Sequence, residues 1–314
     1  MSTAITNFHP NDTITLIDHD AWEFPKEIKD FIGSCKRTFE PVRDLILCHL
    51  MIFSAWLAAF SMPVWWVYII SSLTVTSAMV GFIALAHESF HDNLASKKVN
   101  DFLARAFIAP PLLMDYDFER QIHLNHHKYL GTKNDPTIDS YNCTNRELLR
   151  RLILRFFLIG SLIWVIKKRS NPQYWHPKNI SRKRKFWNLF MILEQALIFV
   201  LFMLISPIAY IWNWVLPLIM TSILSSVREF GEHKSFDKLN PICVANTHTN
   251  IIERLLISQF NFTHHAAHHL FPSVPYSYLY GLTDLLTKHG WPKTNIPILI
   301  RSSYIETLAT PEPV

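Results

Sequence analysis

Two long apolar blocks constrain the fold of this chain more than any other feature. Residues 45–86 and 186–227 each run for about 40 residues with almost no charge, and one membrane-spanning helix needs about 20 apolar residues. Ser61-Met62-Pro63 divides the first block, and Ser206-Pro207 divides the second. Each block is therefore long enough for two spans joined by a tight turn. We predict four transmembrane helices, at about residues 43–62, 64–86, 186–206 and 208–227.

Basic residues are concentrated between the two blocks. Residues 91–185 contain 18 Lys and Arg, whereas the two turns contain none, so by the positive-inside rule this segment faces the cytosol. Within it, the apolar run 152–166 is too short for a span and is predicted to form one buried or interfacial helix. We predict a single domain, residues 1–314, with a polar N-terminal segment at 1–41 and cytosolic segments at 87–185 and 228–314.

Histidine, present 16 times, is grouped into motifs that follow the ends of the predicted spans. The motifs are HESFH (87–91), HLNHH (123–127), REFGEH ending at residue 233, and HHAAHH (264–269). Histidines three or four residues apart lie on one side of a helix, and imidazole suits iron, zinc, copper or nickel. The four-span topology places every motif on the cytosolic side. Nine imidazoles are too many for one ion but suit two ions with four or five ligands each: His87, His91, His123, His126, His127, His233, His265, His268 and His269.

Two other functions are compatible with parts of this pattern. HESFH alone matches the zinc-protease motif H-E-x-x-H, in which Glu88 would be the general base. A site of that kind uses two histidines, one further ligand and a water, which leaves the remaining histidines unexplained. The other alternative is a membrane protein that binds metal without catalysis, such as a sensor or transporter. Transporters place polar ligands near the bilayer midplane, whereas these motifs follow the helix ends.

The order of the motifs resembles that of the membrane fatty acid desaturase superfamily, over about residues 45–290. HESFH is similar to the first histidine box of that family, HLNHH to the second, and HHAAHHLFPSVP to the third, which is the most specific match. The tract HLNHHKYLGTKNDP resembles bacterial acyl-lipid desaturases and related carotenoid oxygenases. The resemblance implies an all-α integral membrane protein with four transmembrane helices in two hairpins. It also implies a cytosolic helical cap that holds two iron ions, with His233 as the ninth ligand.

The same resemblance implies an O₂-dependent oxidoreductase that introduces a double bond into the acyl chain of a lipid. The alternative within the superfamily is a hydroxylase or ketolase that acts on a lipid or carotenoid. The chain contains no glycine-rich dinucleotide motif, four-cysteine cluster or haem motif. Electrons are therefore expected from NAD(P)H through a separate carrier, either a ferredoxin or cytochrome b5 with its reductase. Membrane lipids are expected partners and nucleic acid is not, and a bacterial inner membrane is favoured over an endoplasmic reticulum.

Polar residues beside the boxes are predicted to support the ligands, because a hydrogen bond to a ligand imidazole fixes its tautomer and orientation. His264 is a spare histidine of the third box. Glu194 lies inside the third span, where a carboxylate is costly and marks a functional or paired site. We favour pairing with a polar side chain of the fourth span. The predicted supporting residues are Glu88, Asp92, Asp135, Glu229, Glu232 and Asn261, the last by resemblance to an Asn beside the third box of the family.

Overall fold

The computed structural model describes residues 24–157, 159–171, 181–234, 244–290, 299–301 and 303–309. Residues 1–23 of the predicted N-terminal segment lie outside this description, as do parts of the two predicted cytosolic segments.

The described residues are mainly helical, and two short strands, β1 (Ala245–Thr247) and β2 (Leu299–Arg301), pair in parallel. In chain order the α-helices are α1 (Lys26–Ser34), α2 (Glu40–Ser61), α3 (Trp65–Phe90), α4 (Lys97–Leu103), α5 (Tyr116–Tyr129), α6 (Ile138–Tyr141), α7 (Asn145–Phe156), α8 (Ile159–Ser170), α9 (Arg182–Ile205), α10 (Pro207–Tyr210), α11 (Leu216–His233), α12 (Ile251–Leu256), α13 (His265–Leu270), α14 (Tyr276–Lys288) and α15 (Tyr304–Ala309).

Among the residues that the structure describes, four helical segments are long and apolar enough to cross a membrane. They are α2, α3, α9 and the continuous segment Pro207–His233, in which the π-helical turn Ile211–Val215 joins α10 to α11. Helix α3 continues past residue 86 to Phe90, and α11 continues past residue 227 to His233. The first histidine box and the single histidine after the fourth span therefore lie on, or directly after, the ends of long rigid helices.

Helix α3 lies at the centre of these four segments. In its apolar part 72% of the residues are buried, against 11% for α9, and α3 packs directly against α2 and α11. At Gly81 a Cβ atom would lie 2.7 Å from Cys48 Sγ and 2.8 Å from Gln259 Oε1, so glycine allows the close approach of α2 and of the chain before the third box. Helix α9 instead presents its apolar side chains outward, as expected of a helix that faces lipid.

The apolar run 152–166 forms parts of two helices, so the prediction of one helix is wrong. Helix α7 begins with a capping box, in which the Thr144 and Glu147 side chains each bond the backbone of the other residue. It ends at Phe156, and α8 then packs back against it. At Gly160 a Cβ atom would lie 3.0 Å from the Arg155 backbone nitrogen. The missing side chain at this position therefore permits the close helix pair that breaks the run.

Helix α5, which carries the second histidine box, is held in place by Asp115. The Asp115 carboxylate accepts a hydrogen bond from the Phe118 N–H at 3.4 Å and so caps the start of the helix. It also accepts from Arg169 Nη2 at 2.8 Å, Arg184 Nε at 3.0 Å and Asn188 Nδ2 at 3.2 Å. Asp115 therefore ties α5 to the C-terminal end of α8 and to the first turns of α9.

Replacement of Asp115 by alanine is expected to destabilise the protein by about 3–5 kcal/mol, the usual cost of removing one partner from a buried ion pair. Both side chains of the Asp115–Arg184 pair are only 7% exposed. The matched control is Asp139→Ala, because the Asp139–Lys167 pair is 48% and 65% exposed and is expected to contribute at most about 1 kcal/mol. Thermal unfolding in detergent measures both variants. Equal shifts in melting temperature would contradict this prediction.

Candidate metal centre

Nine histidines from four helices meet at one end of the long helices. His87 lies in the last turn of α3 and His91 directly follows that helix. Helix α5 contributes three histidines, α11 ends at His233, and α13 contributes three more. Seven of the nine are buried, and His91 and His123 are partly buried. The structure thus brings together all nine histidines that the sequence analysis singled out as ligands.

Five of these histidines, called here the five-histidine group, place one ring nitrogen each within 4.8 Å of one another: His87, His91, His123, His127 and His268. The Nε2 atom of His268 lies 2.8 Å from His87 Nε2 and 3.2 Å from His127 Nε2. The Nε2 atoms of His91 and His123 are 2.8 Å apart. Ring nitrogens from three sequence motifs therefore point at one small volume.

The remaining four histidines, called here the four-histidine group, are His126, His233, His265 and His269. One ring nitrogen each of His126, His233 and His269 lies within 4.8 Å of the other two. The same holds for one ring nitrogen each of His233 and His265 and one Glu232 carboxylate oxygen. His265 Nε2 lies 3.1 Å from both His233 Nε2 and His269 Nε2. The nine imidazoles thus divide into five and four, and the two groups adjoin, because the His127 and His269 rings stack with centroids 4.1 Å apart.

The short distances between Nε2 atoms fit shared metal ions. Two imidazole nitrogens that each lie about 2.0–2.1 Å from one ion, at right angles, are about 2.9 Å apart. Burial, together with the neighbouring imidazoles, lowers the pKa of His127, His265 and His268 well below its usual value. These rings are therefore neutral near pH 7, which is the form that binds a metal ion. This donor set is compatible with metal binding.

Asp135 contacts the four-histidine group through His126. Both Asp135 carboxylate oxygens lie 3.0 Å from His126 Nδ1, and the Thr137 hydroxyl lies 2.8 Å from the same nitrogen. The Tyr141 hydroxyl donates a hydrogen bond to Asp135. Burial alone would lower the pKa of His126, but Asp135 and the nearby Glu229 raise it above its usual value. A carboxylate bound to Nδ1 leaves Nε2 facing the group, an arrangement that orients metal-binding histidines.

Replacement of Asp135 by asparagine is expected to weaken metal binding at the four-histidine group about 10–100-fold, the usual effect of losing a residue that supports a ligand. The amide has no charge with which to hold the His126 N–H, while its size is retained. Asp139→Asn is the matched control, because Asp139 pairs with exposed Lys167. Metal titration of the purified protein measures the affinity. Unchanged affinity in Asp135→Asn would contradict the role given to Asp135.

Glu232 is the second predicted supporting residue that lies close to a ligand imidazole, that of His265. Its Oε2 atom lies 3.4 Å from His265 Nε2, and its Oε1 atom accepts hydrogen bonds from Arg228 Nε and from the Tyr304 hydroxyl. Glu229 lies one helical turn from His233 on α11. Its charge raises the pKa of His126, although its side chain forms no hydrogen bond to a described residue. Sequence reasoning missed Tyr304, because no motif includes it.

Three other predicted supporting residues bond to partners other than imidazole within the described part of the chain. Glu88 accepts a hydrogen bond from the Tyr276 N–H at 3.2 Å. Asp92 accepts from Arg120 Nη2 at 2.8 Å, and Asn261 donates to the Tyr276 carbonyl at 3.4 Å. These contacts hold the chain segments around the boxes together. The metalloprotease interpretation is opposed instead by the number of histidines that meet here, because such a site uses two histidines and one further ligand.

His264 and Glu194 lie outside both groups. His264 directly precedes α13, and its ring packs at 5.5 Å from the Tyr280 ring centroid. The Glu194 side chain forms no hydrogen bond or ion pair with any residue that the structure describes, so the predicted pairing with the fourth span is not seen there. The neighbouring Gln195 makes the predicted kind of contact to the fourth span, because it accepts a hydrogen bond from the Trp214 indole at 2.9 Å.

Two comparisons with known proteins bear on the family of this chain. The fatty acid desaturase family matches residues 63–301, which is more than half of the chain and includes every histidine of the two groups. Over 233 residues the chain is 24% identical to the dihydrorhizobitoxine desaturase of Bradyrhizobium elkanii, a match that covers 68% of this chain and 65% of that relative. The four long apolar helices are those of a membrane protein. The chain therefore belongs to the fatty acid desaturase family, which is a family of oxidoreductases.

Proposed function

We propose that this protein is an O₂-dependent di-iron desaturase that introduces a double bond into the acyl chain of a membrane lipid. The observation that carries the proposal is the division of nine histidines into two adjoining groups at the ends of membrane-length helices. Such a division suits two ions, and the apolar helices suit a substrate that is delivered from the bilayer. The nine histidines are the proposed ligands.

The residues of the two groups would hold the irons through Nε2 atoms. Bound iron would supply redox chemistry with O₂ that breaks unactivated C–H bonds, which acid–base groups cannot do. Removal of two hydrogens from adjacent carbons reduces O₂ to two waters when two further electrons and two protons are supplied. The protein's own contribution is to keep rings such as His127, His265 and His268 neutral by burial, to orient His126 through Asp135, and to exclude bulk water from the reacting volume.

The two further electrons must come from outside the chain, since its sequence contains no dinucleotide or haem motif. We propose a ferredoxin, or cytochrome b5 with its reductase, that draws on NAD(P)H. The topology remains as the charge pattern predicts it: one domain of four spans in two hairpins, a helical cap, and the metal centre on the cytosolic face. A bacterial inner membrane is the proposed location.

The test of this proposal is a mass spectrum of total lipids from a host that expresses the chain together with an electron donor. The expected product is a lipid lighter by two hydrogen atoms, present with the intact chain and absent from the empty host. Fragmentation of the product places the new double bond. A product heavier by one oxygen atom would overturn the desaturase proposal and indicate a hydroxylase. A product that gains one oxygen and loses two hydrogens would indicate a ketolase.

A further inference from the structure

The C-terminal helix α15 reaches the metal centre through one side chain, Tyr304. Tyr304 is fully buried, and its ring lies against Gly231 of α11. A Cβ atom at position 231 would lie 2.6 Å from Tyr304 Cδ1, which is closer than two carbon atoms can approach. Gly231, next to Glu232, therefore leaves space for the ring of Tyr304, which lies far from it in sequence.

Tyr304 and Arg228 together determine how the Glu232 carboxylate is turned. The Tyr304 hydroxyl donates to Glu232 Oε1 at 3.0 Å, and Arg228 Nε donates to the same oxygen at 2.8 Å. Glu232 Oε2 is left 3.4 Å from His265 Nε2. All three side chains are nearly or fully buried, so bulk solvent does not compete with these donors for the carboxylate. One oxygen is thus anchored and the other faces the four-histidine group.

Helix α15 is itself anchored by contacts that do not involve Glu232. The buried Glu253 of α12 accepts hydrogen bonds from the Ser303 hydroxyl and from the Ile305 N–H. On the other side, Asn145 Nδ2 at the start of α7 donates to the Leu308 carbonyl at 2.8 Å. Two elements therefore hold the segment that delivers Tyr304, and the hydroxyl position does not depend on the metal centre.

We propose that Tyr304 is a positioning residue that holds Glu232 as a fifth, anionic ligand of the four-histidine group. This inference rests on the proposed di-iron function. It makes the two ions chemically different, because one has five neutral imidazoles and the other has four imidazoles and a carboxylate. Loss of the Tyr304 hydroxyl leaves Glu232 Oε1 held by Arg228 Nε alone, so the carboxylate rotates about that one contact and the second ion binds more weakly.

The test compares the full-length protein in detergent with Tyr304→Phe, which keeps the ring against Gly231 and removes only the hydroxyl. Tyr280→Phe is the matched control, because Tyr280 is 67% exposed. Each protein is titrated with ⁵⁷Fe²⁺, iron is counted per chain, and Mössbauer spectra are recorded. We expect Tyr304→Phe to bind one ion normally and the other about 10–100-fold more weakly, with a change in only one of two quadrupole doublets. Tyr280→Phe is expected to match the wild type.

A double-mutant cycle with Glu232→Gln separates positioning from packing. If Tyr304 acts through Glu232, the hydroxyl has nothing left to position in the Glu232→Gln background, and the double variant binds iron no more weakly than Glu232→Gln alone. The inference would be overturned if Tyr304→Phe lowers the melting temperature but leaves the iron affinity and the Mössbauer spectra unchanged. That result would leave the di-iron proposal intact. Fewer than two irons in the wild type would overturn the di-iron proposal and this inference with it.

Discussion

His268→Ala is expected to abolish formation of the desaturated lipid and to remove one of the two irons. The Nε2 atom of His268 lies 2.8 Å from that of His87 and 3.2 Å from that of His127, so the substitution removes a nitrogen in close contact with two other members of the five-histidine group. Loss of a residue that only supports a ligand already lowers metal affinity or activity about 10–100-fold. Loss of a ligand itself is expected to lower them by more than that. Iron counted per chain and product quantified by mass spectrometry measure the two effects.

His264→Ala is the matched control for this prediction. It removes a histidine of the same motif that packs against Tyr280 and lies outside both groups. Iron content and product are expected to stay at wild-type levels. Equal loss of activity in the two variants would mean that the motif acts through its fold rather than through the nitrogens that face one another.

His233→Ala is expected to lower iron from two ions to one and to abolish turnover. His233 lies close both to the pair His126 and His269 and to the pair His265 and Glu232. It is the histidine that α11 contributes to the centre. The five-histidine group keeps all its members, so its ion should bind with wild-type affinity. Iron titration measures the retained ion, and the lipid product measures turnover.

His248→Ala serves as the control, because His248 is exposed and stands outside both groups. A His233→Ala protein that binds one iron and still forms the product at the wild-type rate would contradict a two-ion mechanism. A protein that loses both irons would instead mean that the two groups bind cooperatively, and their description as separable sites would be wrong.

The membrane-length helices could be predicted from sequence because length and apolarity alone determine them. The apolar blocks are longer than one span, and Pro63 and Pro207 interrupt them at positions where a helix must end or restart. The ends nearest the histidines were harder to predict. Helices α3 and α11 run on through polar residues to Phe90 and His233, because tertiary packing against other helices outweighs the loss of apolar character.

The histidine motifs could also be predicted, but not the way in which they combine. Helical spacing shows which imidazoles share one face of a helix, and it contains no information on which faces meet. The closest Nε2 contacts join residues far apart in sequence, such as His87 to His268. Adjacent histidines even separate, since His126 joins the four-histidine group and His127 the five-histidine group.

The supporting contacts were the least predictable part. Asp135 contacts the ring of His126, whereas Glu88 bonds a backbone N–H of another segment, and no sequence pattern distinguishes these two acids. Tyr304 and Asp115 act over long chain separations and belong to no motif. Their partners are determined by the packing of distant helices, which a local pattern does not contain.

The most direct test of the central claim is an anomalous difference map, recorded at the iron absorption edge from crystals of the iron-loaded protein. We expect two peaks, one among the Nε2 atoms of the five-histidine group and one among those of the four-histidine group. Each peak is expected about 2.1 Å from its ligand nitrogens, close to the zinc–imidazole distance of about 2.0–2.1 Å. A single peak, or two peaks that lie outside these groups, would contradict the account.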